Sequence, residues 1–236
     1  MNGKLILFPV TIGAEDIGMS LPAHNLELLN TCHTFIVEEV RTARRFLKKT
    51  GYIHAIDDTQ FLPLNEHTHD SDIQHYLDPI MEGENIGLLS EAGLPCIADP
   101  GAMITRLAQR RGIEIMPLVG PSSLLLALMA SGFNGQNFAF VGYIPVKGPE
   151  RRHAILQLET RAYKENQTQI FIEAPYRNNQ MLADLAETLN PQTLICVATD
   201  ITLPSQQIIT RSAAQWRKCL SQHDLHKRNT VFLIYK

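Results

Sequence analysis

Four short loops rich in small residues follow apolar segments of the sequence, and each has the composition of a ligand-binding turn. Small residues let a bound molecule lie directly against the backbone, whose N–H and C=O groups can recognise an adenine edge or a carboxylate. None of the loops matches GxGxxG or GxxxxGKS/T, the patterns of dinucleotide and triphosphate sites. Taken singly, each is also typical of an ordinary strand-to-helix turn. The loops span residues 9–13, 90–95, 120–123 and 173–177.

The second of these loops lies inside the stretch around which the chain is organised, residues 86–101. The uncharged run Ile86–Leu89 indicates a buried strand, and Asp99 followed by Pro100 predicts a helix start with Asp99 as its cap. In open α/β sheets, ligands bind just beyond the carboxyl ends of the strands. We therefore predict a small-molecule pocket after Leu89.

The order of the predicted elements indicates an α/β protein. In the first half, strands alternate with helices of about a dozen residues, as in parallel βαβ units. Fewer helices separate the last strands, which predicts a mixed sheet in the second half. The helices include 21–30, with Ser20 as its cap, and 71–82. A turn signal at Asn134-Gly135 favours a boundary nearby, and we predict domains over 1–119 and 120–236.

Composition restricts the class of protein. The 236 residues are 44% hydrophobic and 19% charged, with a formal net charge of −3, which is typical of a globular protein rather than a general nucleic-acid coat. Four cysteines form no CxxC pair, which favours free thiols and a cytoplasmic location. The longest apolar run, Leu124–Ala130, is too short to span a bilayer, so no membrane association is expected.

Two groups of polar residues have both a functional and a plain interpretation. His67, His69 and His75 lie near acidic residues, but no metal-binding framework surrounds them, and a solvated loop without metal is the better interpretation. Basic residues can bind RNA or simply form solvated surface. They form two clusters, the first being Arg41, Arg44, Arg45, Lys48 and Lys49, and the second Lys147, Arg151 and Arg152.

Six segments resemble motifs of one enzyme family. SEAGLPCIADPG at 90–101 is similar to S-D-A-G-T-P-x-I-S-D-P-G, and PLVGPSSLLLALMASG at 117–132 to P-x-P-G-P-S-A-x-x-x-A-L-x-x-S-G. The other four are FVGYIPVKG at 140–148, FIEAPYR at 171–177, EEVRTARRFL at 38–47 and NEHTHD at 65–70. The chain thus resembles the tetrapyrrole methylase superfamily, and within it the branch that methylates small-subunit rRNA at a cytidine 2′-oxygen.

The resemblance implies two α/β domains with S-adenosylmethionine in the cleft between them. Backbone groups of two loops would hold most of the cofactor, with Pro9 beneath it and Glu173 and Ala174 closing the pocket from the second domain. The two loops contribute Ser90, Glu91, Ala92, Gly93, Leu94 and Pro95 on one side, and Ser122 and Ser123 on the other. Ser122 also suits a plain helix cap.

Methyl transfer to a ribose hydroxyl requires alignment of the acceptor and help in removing its proton. Glu39 and Glu66 are the candidates for this role, and Arg41 is a candidate phosphate anchor. The segment 38–41 is equally typical of a helix first turn, whose acids suit the helix dipole. The resemblance further implies a homodimer and, as partner, rRNA or the small ribosomal subunit.

Departures from the family motifs leave alternatives open. Glu91 stands where the family has Asp, and Glu39-Val40 where it has Asp-Thr, so one alternative is a cofactor-binding module without turnover. The acidic net charge, and the end of this sequence at Lys236 without the extension of many members, keep open methylation of a tetrapyrrole or another small molecule.

Overall fold

A computed structural model describes residues 3–13 and 16–236. These residues form two compact units, the N-terminal unit ending at Ser122 and the C-terminal unit beginning at Ser123. The predicted boundary after Val119 lies in the same loop. Ala14 and Glu15, which directly follow the first predicted loop, lie outside the described residues, as does the side chain of Asp70.

The N-terminal unit contains a five-stranded sheet in which every strand pair is parallel, as predicted. The strand order is β3-β2-β4-β1-β5, so the central strand β4 lies between β2 and β1. Because all strands run the same way, the loops after them leave from one edge, which we call the carboxyl edge. The strands are β1 (Leu5–Phe8), β2 (Cys32–Val37), β3 (Gln60–Pro63), β4 (Asn85–Leu89) and β5 (Ile115–Pro117).

The helices of the N-terminal unit differ from the predicted ones in three places. The helix expected over 71–82 is two short helices, because Pro79 has no N–H to continue the helical hydrogen bonds. Ser20 is not the N-cap of the next helix, since Pro22 occupies that position. Asp99 binds the turn before its helix instead of capping it. The helices are α1 (Ala23–Leu29), α2 (Val40–Lys49), α3 (Asp70–Ile73), α4 (Asp78–Met81) and α5 (Ala102–Arg110).

Apolar side chains cover both faces of this parallel sheet, as expected for buried parallel strands. One face packs around Phe8 and Phe35, whose ring centroids lie 6.3 Å apart. A Cβ on Gly87 of β4 would lie 2.5 Å from the Phe35 ring, so the glycine makes room for that ring. The result is a rigid platform beneath the carboxyl edge.

The C-terminal unit contains the predicted mixed sheet, in the order β6-β7-β10-β8-β9. Only β6 and β7 pair in parallel, and the other three pairs are antiparallel. The strands are β6 (Phe138–Tyr143), β7 (Thr168–Ile172), β8 (Leu194–Thr199), β9 (Gln207–Ser212) and β10 (Thr230–Tyr235). The helices are α6 (Ser123–Ser131), α7 (Gly148–Lys164), α8 (Asn178–Thr188) and α9 (Ala213–Arg217).

The core of the C-terminal unit surrounds the stacked rings of Phe171 and Phe232, whose centroids are 5.6 Å apart. Trp216 of α9 is fully buried and donates its indole N–H to the Ile195 carbonyl at 3.0 Å. Across the described residues, no helix is both long and apolar enough to cross a membrane.

Candidate active site

The loop after β4 is anchored at one residue, Gly93. Its N–H donates to the Val10 carbonyl at 3.0 Å, and its carbonyl accepts from the Val10 N–H at 2.9 Å. The buried Ser90 hydroxyl donates to the same Gly93 carbonyl at 2.7 Å. Gly93 has a φ of 74°, in the left-handed region that glycine adopts without strain. The loops after β1 and β4 are therefore tied together.

The loop after β5 lies against the same place. A Cβ on Gly93 would lie 3.3 Å from the Pro121 carbonyl oxygen, and a Cβ on Gly120 would lie only 2.1 Å from Pro9 Cβ. Pro9 and Gly120 can therefore approach this closely only because Gly120 has no side chain. Three of the four predicted loops thus meet at the carboxyl edge of the N-terminal unit, while Ser122 and Ser123 lie at the start of α6.

The loop after β4 also presents main-chain groups that the fold does not use. Within residues 3–13 and 16–236, the main-chain groups of Glu91, Ala92 and Leu94 take part in no backbone hydrogen bond. Ala92 is exposed, Glu91 and Leu94 are half-buried, and Pro95 is buried. Free N–H and C=O groups on an anchored loop are suited to a ligand that carries a carboxylate or an adenine ring.

A carboxylate that the sequence did not single out lies beside this loop. Glu38 directly follows β2, as Ser90 follows β4, and the two lie in register because Val37 pairs with Leu89. Glu38, Ser90 and Asp99 help to line a small cavity of about 10 Å³, large enough for about one water molecule. Glu38 remains exposed to solvent, yet its partial desolvation at this edge, together with the charges of Glu91 and Asp99, raises its pKa.

The available sequence signal for Glu38 was its position directly after a strand. That signal does not separate it from its neighbour Glu39. The environment of Glu38 comes from its desolvation at the strand end and from Glu91 and Asp99, which the fold brings to it from more distant parts of the chain.

The predicted residue Glu39 forms the N-cap of α2. Its Oε1 accepts a hydrogen bond from the Arg41 N–H at 3.0 Å, which is the helix-start arrangement considered from the sequence. The Glu39 N–H donates to Glu91 Oε1 at 3.3 Å and so connects α2 to the loop after β4. The side chain of Arg41 is exposed. The catalytic roles of Glu39 and Arg41 remain predictions.

The predicted residue Glu66 lies in the exposed turn after β3. Its carboxylate is 3.6 Å from His67 Nε2, and both side chains are largely exposed. Asn65 connects this turn to β2, since its side-chain nitrogen donates to the Glu38 carbonyl at 3.4 Å. Glu66 is therefore close in sequence to a residue that contacts Glu38, and its catalytic role remains a prediction.

The histidine-rich segment forms separate local pairs. His75 Nδ1 lies 2.8 Å from Asp78 Oδ2, and Arg111 Nη1 also lies 2.8 Å from that Asp78 carboxylate. Among the side chains that the structure describes, no three histidine, cysteine or acidic residues are grouped as a metal site requires.

The fourth loop, in the C-terminal unit, surrounds a buried carboxylate. Glu173 Oε1 accepts from Arg177 Nε at 2.9 Å, from Arg177 Nη2 at 2.6 Å and from the Ala174 N–H at 2.7 Å. Glu173 Oε2 lies 3.3 Å from Arg151 Nη2, and Arg151 Nη1 lies 2.8 Å from Asp184 Oδ2. The predicted cofactor role of Glu173 and Ala174 stays a prediction, and within this unit the carboxylate holds two guanidinium groups.

This arrangement corrects the second predicted basic cluster. Arg151 is buried and turned inward, where its Nε also donates to the Pro145 carbonyl at 3.0 Å. Its charge is paired with Glu173 and Asp184 inside the unit, whereas Lys147 and Arg152 are exposed. The prediction that all three residues form one phosphate-binding cluster is therefore wrong.

Replacing Asp99 by asparagine is expected to change how stability depends on pH. Burial raises the pKa of Asp99 above its ordinary 3.8, although the N–H groups of Gly101 and Cys96 donate to it and partly offset this. The folded protein therefore retains a proton that the unfolded chain releases, so the associated stability is present below pH 3.8 and is lost as pH rises through the raised pKa. Asparagine keeps the acceptor oxygen without a charge.

Urea denaturation at a series of pH values measures this effect. The difference in unfolding free energy between Asp99→Asn and wild type should shift in favour of the variant as pH rises from 4 to 7. Asp58→Asn, which removes the same charge from an exposed side chain, controls for net charge. An Asp99→Asn difference that stays constant over this pH range would contradict the prediction.

Comparison with solved structures shows which class of protein has this fold. The structure of the methyltransferase CobJ superposes with a TM-score of 0.63 and 18% identity, covering 99% of this chain and 94% of that one. The structure of cobalt precorrin-4 methyltransferase, CbiF, a cobalamin biosynthetic enzyme, superposes with a TM-score of 0.61 and 14% identity. The match covers 98% of this chain and 94% of that one. Both resemblances establish the fold, a two-unit α/β fold that is found in methyltransferases.

Sequence comparison identifies the family. A family model for tetrapyrrole (corrin/porphyrin) methylases matches residues 19–216, and the chain belongs to this family. It is accordingly a methyltransferase, and membership implies that it uses a methyl donor.

Several curated relatives carry the name ribosomal RNA small subunit methyltransferase I. The protein from Vibrio cholerae is 27% identical over 233 residues, covering 99% of this chain and 77% of that protein. The Xylella fastidiosa protein is 30% identical, and the match covers 88% of this chain and 72% of that protein. The Thermotoga maritima protein is 31% identical, and the match covers 87% of this chain and 86% of that protein.

Proposed function

We propose that this protein transfers the methyl group of S-adenosylmethionine to a ribose 2′-hydroxyl of small-subunit rRNA. One observation carries the proposal: a loop with free main-chain groups lies beside Glu38, a carboxylate of raised pKa, at the carboxyl edge of a parallel sheet. The name shared by the curated relatives supports the choice of acceptor. The same acceptor favours a cytoplasmic location.

The carboxyl edge has the properties required to bind the donor. S-adenosylmethionine carries an adenine ring and an amino-acid carboxylate, both of which backbone groups can recognise. The unused main-chain groups of Glu91, Ala92 and Leu94 offer such contacts. The close approach of Gly120 to Pro9, which a Cβ would prevent, brings the loops after β5 and β1 together at this edge. These residues, together with the predicted Ser122 and Ser123, would hold the donor.

When bound, the donor supplies an electrophilic methyl group. The protein must then align the acceptor oxygen and remove its proton. Glu38 is suited to accept that proton, because a carboxylate whose pKa is raised is a stronger base than an ordinary one. Glu91 and Asp99 sustain this property through their like charge. Arg41, in the first turn of α2, would anchor an adjacent phosphate.

Methyl transfer by single carboxamide variants tests this assignment. Glu38→Gln should lower kcat by about 10²–10⁴-fold, the contribution typical of a positioned base. Glu39→Gln and Glu66→Gln are the matched controls, and both should retain more activity. The assay follows tritiated methyl transfer into small ribosomal subunits, and calorimetry should find the donor Kd unchanged in all three variants. A larger loss in either control would assign the base to that residue instead.

The identity of the acceptor is tested separately. Mass spectrometry of rRNA from cells with and without the protein should reveal one ribose methylation that depends on it. Label that enters a porphyrinogen but no RNA would overturn the rRNA proposal in favour of a small-molecule methylase. Tight donor binding without transfer to either acceptor would indicate a binding module. Sedimentation would test the homodimer that the family resemblance predicts.

A further inference from the structure

We propose that the exposed face of α2 binds the sugar-phosphate backbone of the RNA substrate beside the methylation site. This inference rests on the proposed function, because it assigns a surface to that RNA. The surface, which we call the basic stripe, consists of Arg41, Arg45, Lys48 and Lys49.

The basic stripe follows from the periodicity of the helix. Side chains four and three residues apart share a helix face, so Arg41, Arg45 and Lys48 are aligned, with Lys49 next to them. All four residues of the basic stripe are exposed. The opposite face of α2 is buried through Ala43, Phe46 and Leu47. At ~1.5 Å per residue, the basic stripe is about 12 Å long.

The positive charge of the basic stripe is not neutralised within the unit. The fifth basic residue of α2, Arg44, pairs with Asp57. Across the described parts of the chain, the four residues of the basic stripe form no ion pair. The helix itself contains no acidic residue, although the whole chain has a net charge of −3. The positive charge is therefore concentrated on this surface.

Helix stability alone does not explain this distribution. Lys48 and Lys49 lie in the last turn of α2, where positive charge interacts favourably with the helix dipole. Arg41 lies in the first turn, where positive charge is unfavourable, and it is four residues from the like charge of Arg45. A polyanionic partner would offset both effects.

The position of α2 indicates why the partner is the substrate. Glu39, directly after Glu38, is the N-cap of the helix, so the first turn lies at the carboxyl edge and the helix extends away from it. Carboxylates at that edge repel phosphate, whereas the basic stripe attracts it. An acceptor ribose at Glu38 can therefore have its flanking phosphates on the basic stripe, where arginine can bind a phosphate oxygen pair.

Salt dependence of RNA binding tests the basic stripe. The stripe variant combines Arg45→Gln, Lys48→Gln and Lys49→Gln, and it leaves Arg41 in place. The control variant combines Arg152→Gln, Arg161→Gln and Lys164→Gln, three exposed basic residues of α7. Both variants lose the same charge, and glutamine has a helix propensity close to that of arginine and lysine.

The probes are isolated small ribosomal subunits and a 20-nucleotide polyuridylate, each titrated at several salt concentrations. Each lost phosphate contact reduces the slope of log K against log salt by about 0.7–0.9, so the stripe variant should lose roughly 2–3 in slope. The control variant should keep the wild-type slope, and all three proteins should bind S-adenosylmethionine equally in calorimetry. Helix content measured by circular dichroism should be the same.

The outcomes separate this inference from the proposed function. If wild type methylates rRNA but the stripe variant keeps the wild-type slope, the basic stripe is not the RNA surface and the proposed function stands. An equal loss in the control variant would likewise overturn the assignment, because the effect would be one of net charge. If wild type neither methylates rRNA nor binds either probe in a salt-dependent way, both proposals fail.

Discussion

Replacing Glu173 by alanine is expected to lower the free energy of unfolding by about 3–5 kcal/mol, as is typical when one partner of a buried ion pair is removed. The Glu173 side chain is 1% exposed and that of Arg151 is 4% exposed. Without the carboxylate, the guanidinium of Arg151 loses one of its two acidic partners while remaining in the interior. Arg177, whose side chain is 25% exposed, can turn towards water and should contribute less.

Urea denaturation of wild type and three variants measures this effect. Asp184→Ala removes the other partner of Arg151, but the Asp184 side chain is 28% exposed and water can replace it, so its cost should be smaller. Combining Glu173→Leu with Arg151→Met removes both charges and should restore much of the stability, as apolar replacements of buried pairs do. If Glu173→Ala lowers the free energy of unfolding by less than about 1 kcal/mol, the Glu173–Arg151 ion pair contributes no more than a solvent-exposed pair and the prediction is contradicted.

Replacing Gly120 by alanine is expected to lower donor affinity by at least tenfold, equivalent to ~1.4 kcal/mol of binding free energy. The added Cβ would lie 2.1 Å from Pro9 Cβ and 2.5 Å from Pro9 Cγ, so the two loops must separate. The ring of Pro9 is rigid and cannot move aside as a flexible side chain would. Displacement of Pro121 then disturbs Gly93, which packs against the Pro121 carbonyl. Overpacking should also lower stability by ~1–3 kcal/mol.

Gly135→Ala is the matched control for this variant. A Cβ on Gly135 meets no atom within 4 Å, so the substitution should change unfolding free energy by less than about 0.5 kcal/mol. Calorimetry with S-adenosylmethionine should then find wild-type affinity for Gly135→Ala and weakened binding for Gly120→Ala. Wild-type affinity in the Gly120 variant would show that the contact with Pro9 does not shape the donor site.

The sequence predicted the architecture because local patterns determine it. Uncharged runs such as Ile86–Leu89, separated by helical segments, were enough to predict a parallel sheet followed by a mixed one. The single helix predicted over 71–82 was wrong because the span includes Pro79, which cannot supply the required N–H. The cap at Asp99 was wrong because the same oxygen binds Cys96 and Gly101 in a preceding turn.

The candidate site was predictable only in part. The strand-end loops were recognisable from their small residues, but the environment of Glu38 depends on its desolvation in the fold and on Glu91 and Asp99, which are remote in sequence. The Arg151 partner of Glu173 was hidden for the same reason, since it reaches the carboxylate from α7. A basic residue that pairs inside the unit and one that faces solvent look alike in a sequence.

The strand order of the N-terminal unit has a consequence for how the protein folds. β1 and β2 follow each other along the chain, yet β4 lies between them and pairs with both. Until synthesis has passed Leu89, each of these two strands has an unpaired side on which another chain can add. Such distant pairing gives a high contact order and slow folding. Protection of the nascent chain is therefore most needed before β4 arrives, because that strand joins β1 to β2, and β5 then completes the sheet by pairing with β1.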